Sequence, residues 1–432
     1  MHKTRKFNLS PRLLVLLVAA AIASQSAFAQ AVCTVDPARE LLIRDLSVVE
    51  DCTRTTWGPC PNGARANAAW TFGRLMEGLA GTTDKAALSK FVLGWLAHWE
   101  VPQVINSNVV PARPFIRQLV TDPWLQASGG TVLDMKKAPF RLLSIVARLD
   151  LRKNPSYGSL NAGEARFVFG VLDINNPQGA PLFTVILEYG LKADTCDDQK
   201  KWAQKFHALG GIPFGSTYNA TLQSVTDGFT KIGSNPLKPN GSALNQLRTN
   251  EIALSFPWEL REFTLQPVTA SDAPIAPLKE ATVKQTPANV FNGGTLVADF
   301  INEHEAEILL QQHVVPEIYQ GQHFLGGSSL NQIDFWNAPG INNNNARHLF
   351  SLNTCNACHG RETNTGFLQI SPRSPGSVSS ISGFLSGIDV SDPVTGEIRH
   401  FNELEFRAKD LCRLLTQPCS VLATDPSTTR VE

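Results

Sequence analysis

The chain has 432 residues, with 38 basic and 38 acidic side chains and 43% hydrophobic residues. That length is enough for two domains, each burying its own core. The balanced charge carries no basic excess of the kind nucleic-acid binding needs, so no nucleic-acid partner is expected.

Residues 1–29 read as a secretion signal. Lys3, Arg5, Lys6 and Arg12 make a basic start, Leu13 to Ala23 is apolar, and Ala27-Phe28-Ala29 offers a small-residue cleavage site. The apolar run is about half of what a bilayer crossing requires, and no later stretch approaches a spanning length without charge or Pro. The expected mature chain has no integral membrane segment and is periplasmic or secreted. The leader holds four basic side chains and no acidic one, so its removal leaves a net charge of −4. Eight cysteines suit an oxidising compartment. Short loops make Cys52–Cys60 and Cys412–Cys419 attractive bridges, with Cys33–Cys196 left over, although sequence does not choose among the 15 pairings of six cysteines.

Further along, Leu88, Phe91, Trp95 and Trp99 recur at helical steps behind a Thr83/Asp84 cap, predicting a helix over 84–100. His98 beside that stripe reads as a hydrogen-bonded helix-edge residue. The period then changes. Leu143, Ile145, Ala147, Leu149 and Leu151 alternate with Ser144, Val146, Arg148 and Asp150, as in a half-buried strand. Arg166 to Asp173 reads as a central strand. A turn at 175–179 leads to a third strand, Phe183 to Leu191. Helices are expected around 196–209 and 218–231. A last alternation, Ile252, Leu254, Phe256, Trp258 and Leu260, predicts an edge strand with Pro257 on its other face. Glu251, Glu259, Arg261 and Glu262 read as its wet side, and Trp57, Trp70, Trp95, Trp99 and Trp124 as core.

Grouped strands with helices around them predict an α+β domain with a mainly antiparallel sheet over residues 30–285. The Pro-rich stretch 267–287 marks the boundary to a mainly α domain, 286–432. There, Val297 to Val314 is expected to be an amphipathic helix, a polar loop at 342–345 to cap the next, and Phe401 to Leu415 to close the chain.

The chemistry lies in Cys355-Asn356-Ala357-Cys358-His359. Two cysteines three apart share one face of a helical turn, so their thiols can add to the two vinyl groups of one porphyrin edge. The histidine that follows then meets the iron. By chance this pattern is expected about 0.003 times in a chain of this composition. A redox dithiol would usually open a helix after a strand, and a zinc site needs a second ligand pair that is not evident nearby. The expectation is one covalent haem c on Cys355 and Cys358, with His359 as proximal iron ligand.

The run from Leu349-Phe350 through Cys355, Cys358, His359 and Gly360 resembles the first helix of a class I c-type cytochrome. The resemblance implies a cytochrome c-like fold for the last part of the chain and, in that family, a downstream Met as second axial ligand. This chain departs from the pattern, since Met1, Met76 and Met135 are all upstream. His400 is therefore the candidate distal ligand, with His304, His313 and His323 as alternatives; His348 belongs to the proximal helix. Arg347, Arg361 and Arg373 are candidates for pairing with propionates. Electron transfer with a redox partner protein is the expected function. A haem enzyme of peroxidase or oxygenase type with an open distal site, and a haem-containing docking or sensor protein, are the alternatives, because about 250 extra residues exceed what a carrier needs.

Overall fold

Among the described residues, eight strands build the principal sheet: β1 (Leu42–Ile43), β2 (Phe140–Arg148), β3 (Asn161–Val171), β4 (Phe183–Lys192), β5 (Leu244–Glu251), β6 (Glu259–Leu265), β7 (Leu278–Ala281) and β8 (Ser329–Leu330). The first six lie side by side in chain order, β7 and β8 both pair with β6, and every pair is antiparallel. This computed structural model describes residues 33–57, 68–154, 161–179, 181–251, 253–268, 274–332 and 335–424. The leader read at 1–29 and Cys60 of the expected Cys52–Cys60 bridge lie outside them.

One face of the sheet is largely apolar and is covered by α1 (Phe72–Ala80), α2 (Lys85–Leu96), α3 (Cys196–His207) and α4 (Ser216–Thr230). Val185, Leu187, Tyr189 and Leu191 of β4 point into this core at the two-residue period of a strand. Asp84 caps α2, accepting from the Ala87 N–H at 2.8 Å, and Leu88, Phe91, Trp95 and Trp99 are buried as their spacing required. Phe72 stacks on Phe140 with centroids 3.6 Å apart, and Trp70, Trp95, Trp99 and Trp124 are core residues.

The opposite face is not wet, which corrects the half-buried reading of β2: all nine of its residues are buried. The chain beyond residue 380 covers it, with Phe384, Leu385, Val390 and Phe401 packed on Leu42, Leu143, Val146 and Val168. Glu251, Glu259, Arg261 and Glu262 are likewise buried rather than solvated. The strand expected over 252–260 does not form. Glu251 ends β5 and pairs with Glu259 at the start of β6, so the chain must reverse between them; residues 253–258 turn, and Phe256 is 84% exposed.

After the sheet come α5 (Thr295–Glu303), ending at His304 where a single longer helix was expected, then α6 (Asn344–Leu352), capped by Asn343, α7 (Cys355–Cys358) and α8 (Glu403–Thr416). The expected division near residue 286 is absent: Val35 to Glu432 is one compact unit. β8 extends the sheet from beyond that point, and Asp410 of α8 takes a two-pronged, buried ion pair from Arg152. Cys196, which opens α3, is bridged to Cys419, overturning both Cys412–Cys419 and Cys33–Cys196. Packing of α8 beside α3 brings Cys196 and Cys419 to a Cα separation of 5.9 Å, so tertiary contact wins over the short loop. Cys52 and Cys412 are also disulfide-bonded. Helices and an antiparallel sheet thus share one α+β body. Among the described residues no helix is long and apolar enough to cross a membrane.

Candidate functional site

The motif is held rigidly from both sides. The Cys355 N–H donates to Thr286 Oγ1 at 2.9 Å, and the side chain of Asn356, between the cysteines, accepts from Trp336 Nε1 at 2.9 Å. On α6, Arg347 makes a bidentate pair with Glu362, at 2.9 and 3.0 Å, and also reaches Asp392 at 3.0 Å. His348 Nδ1 lies 2.5 Å from the same Glu362. Residues just before and just after the motif are therefore clamped by charge-assisted bonds. Burial alone would raise Glu362, but bonds from His348 and Arg347 outweigh it and hold its carboxyl below the ordinary range. His348, Glu362 and Asp392 also bring ligand atoms within 4.8 Å of one another. The Arg347 guanidinium already lies against both carboxylates, so this cluster reads as an ion-pair clamp.

His359 has a defined tautomer. Its Nδ1 lies 2.5 Å from the Phe367 carbonyl oxygen. A carbonyl only accepts, so Nδ1 carries the proton and Nε2 is the basic nitrogen, the arrangement that suits an imidazole to a metal. The ring stacks on Trp258, with centroids 5.4 Å apart and planes at 25°. Cys355 and Cys358 remain outside any disulfide.

Cys355, Cys358 and His359 line a cleft of about 910 Å³, its solvent mouth included, whose far wall is the charged face of the sheet. Strand register orders that wall. One row across β3 to β6 carries Val168, Ile186, Arg248 and Glu262; the next carries Arg166, Glu188 and Gln246; beyond it Arg148 faces Glu164. Most charges there are matched. Arg248 pairs with Glu262 at 3.0 Å and Glu188 at 3.6 Å, Arg166 with Glu164 at 2.8 Å and Glu188 at 3.4 Å, and Arg148 with Asp150 at 2.9 Å. Burial would raise Asp150, but the charges of Arg148 and Arg407 hold it well below the usual carboxylate range.

No family model, no curated protein and no solved structure matches the chain.

The structure brings Cys355, Cys358 and His359 to one cavity but does not bring His400 there. His400 sits on an exposed two-stranded hairpin, 2.5 Å from Asp389, its cross-strand neighbour. His323 is exposed against Asn106, His304 lies tilted against Phe300, and His313 is buried beside Phe350; none of them lines the cavity. The arginines proposed for propionates are also elsewhere. Arg347 is in the clamp, Arg361 lies over Phe335, and Arg373 pairs with Glu50 and donates to the Leu142 carbonyl. The cavity's own arginines, Arg148, Arg166, Arg248 and Arg407, escaped sequence reasoning. For the three on strands the one signal was charge recurring in the same phase; Arg407, on α8, carried none.

These residues fit a porphyrin. The cleft has two thiols and an imidazole of suitable tautomer on one side, aliphatic residues such as Val146, Val168, Ile186 and Leu385 for the disc, and guanidiniums for carboxylates. One donor supports this reading: Nε of Arg407, a residue of the cavity lining, has no hydrogen-bond partner among the described residues.

Proposed function

We propose that the protein is an exported, single-haem c-type redox protein, with haem c attached through Cys355 and Cys358 and His359 on the iron. The observation that carries this reading is the meeting of both thiols and the Nδ1-protonated imidazole on one cavity. When bound, the group supplies one-electron chemistry and a coordination position opposite His359. The chain's part is to hold the imidazole through the Phe367 carbonyl and Trp258, and to oppose the ring with a charged wall. The class I resemblance belongs to this proposal for α6 and α7 alone, since the surrounding sheet is not required by it.

Electron transfer to a redox partner protein in the periplasm is one use of such a haem. A specific observation favours an additional one. Among the described residues lining the cavity, His359 is the lone histidine and no methionine is present. A six-coordinate carrier needs a second strong ligand, whereas this wall offers arginine, carboxylate and amide groups. The reading supported best is therefore a haem whose far side accepts a small ligand, with electrons supplied by a partner.

The test is the full chain produced in a host that matures c-type cytochromes. Mass spectrometry should find one haem on the peptide carrying Cys355 and Cys358, lost in the C355S/C358S variant. Optical and EPR spectra should show high-spin ferric haem that binds carbon monoxide when reduced. A low-spin spectrum indifferent to carbon monoxide would return the protein to a simple carrier. Colourless protein without added mass would remove the haem altogether.

A further inference from the structure

The sheet wall pairs its charges with one exception. Arg407 reaches the cavity from α8 and is 7% exposed, yet its Nε has no hydrogen-bond partner among the described residues. Its ion pair with Asp150 is long, 4.0 Å, because Arg148 already holds that carboxylate at 2.9 Å. Arg407 thus stands beyond close reach of the carboxylate that Arg148 holds, and Arg148 and Arg166 add positive charge nearby; Glu403 acts on Arg407 through space. Burial and the charge of Arg148 lower the Arg407 guanidinium to about 10. A guanidinium is a rigid fork of donors, and one buried without a close acceptor costs more than the pairs around it. Arg347, in the clamp beside the motif, shows the contrast, with Glu362 and Asp392 filling its fork.

We propose that Arg407, with Arg148 beside it, is the carboxylate-binding end of this cavity. The chemistry recognised is a planar carboxylate taken by a fork of N–H donors. It has two possible sources: a propionate of the haem that Cys355 and Cys358 hold, or a small organic acid entering from solution. The first source rests on the haem reading above and the second does not. Neither arises from the motif, since Arg407 is 48 residues beyond His359 and on another element.

The experiment uses the full chain from the cytochrome-maturing host, as wild type, R407Q and R407K. Midpoint potential is measured against pH, and sodium acetate is titrated at constant ionic strength while the Soret band and the thermal midpoint are followed. If a propionate is the ligand, R407Q shifts the midpoint to lower potential, because removal of a positive charge favours the ferric state, while acetate leaves the wild type unchanged. R407K recovers part of the shift. If a soluble acid is the ligand, acetate saturates the wild type and binds R407Q about tenfold or more weakly, as expected for loss of a charge-assisted fork. Should the protein lack haem, the haem reading fails and the acetate effect on the thermal midpoint decides alone. R407K, which keeps the charge, serves where R407Q does not fold. Unaltered potential together with absent or unaltered acetate binding in a folded variant overturns the proposal.

Discussion

Glu280 offers a test of how the helix-covered face tolerates charge. It sits on β7 opposite Phe263, and neither of its carboxylate oxygens has a hydrogen-bond partner among the described residues; Arg261 is 3.5 Å away. Glu251 and Glu259 crowd the same arginine. Burial, with repulsion from those two carboxylates added, outweighs Arg261 and raises Glu280 from 4.5 to about 8. Below pH 4.5 the folded and unfolded chains both hold the proton and no penalty exists. Above it the unfolded carboxyl ionises while the folded one does not, so stability falls with rising pH until about 8 and then levels. At about 1.4 kcal/mol per pH unit, the loss across that window is about 5 kcal/mol. E280Q removes it, and Arg261 keeps Glu259 as a partner at 2.8 Å. Urea unfolding of both proteins at pH 5 and pH 8 is the assay. The variant should gain several kcal/mol relative to wild type between the two pH values. An equal difference at both would refute the account, since it would mean Glu280 is ionised in the fold throughout.

Two further outcomes follow from the packing around the site. R347M leaves Glu362 and Asp392 buried without their guanidinium and should cost about 3–5 kcal/mol in chemical denaturation, with E362Q added costing less than the sum. Gly163 has φ +87°, and a Cβ there would lie 2.1 Å from the Arg148 carbonyl oxygen. G163A should therefore destabilise by about 2 kcal/mol or more and disturb the wall that Arg148 and Glu164 share, read by unfolding midpoint and by the Soret band.

Local signals carried through wherever the chain makes its own environment. Asp84 caps its helix, Phe183 to Lys192 is a strand, and the cysteines and His359 share one turn and its end. The errors come from environment supplied by distant chain. Arg148 and Glu188 alternate with apolar residues as they would on a wet sheet, and only the covering segment around Phe384 and Phe401 makes that face an enclosed one. A period of two reports that the faces differ, not that one meets water. Arg407 joins Arg148 across 259 positions of sequence, which no spacing rule spans. The bridge from Cys196 to Cys419, separated by 223 residues, fails to show for the same reason. The tautomer of His359 depends on a main-chain carbonyl, Phe367, that side-chain identity does not advertise.

A sheet that needed only to fold would gain by placing aliphatic side chains on both faces, because well-packed apolar groups match or exceed buried ion pairs in stability. This one does so over most of the side of α1 to α4, where Arg261 with Glu251, Glu259 and Glu280 is the exception, and does otherwise on the side of α7. On β3 and β4 its second face runs from Val168 and Ile186 to Arg166 and Glu188, with Arg148 of β2 beyond, so polarity rises along those two strands, while β5 and β6 carry Arg248 and Glu262 beside the apolar row. That gradient matches a ligand with an apolar body and a charged rim. The pairs at Arg166 and Arg248 hold the wall neutral, which leaves Arg407 as the donor with capacity to spare. Under the haem proposal, the motif would tether the disc and the charged rows of the sheet would set which way round it lies.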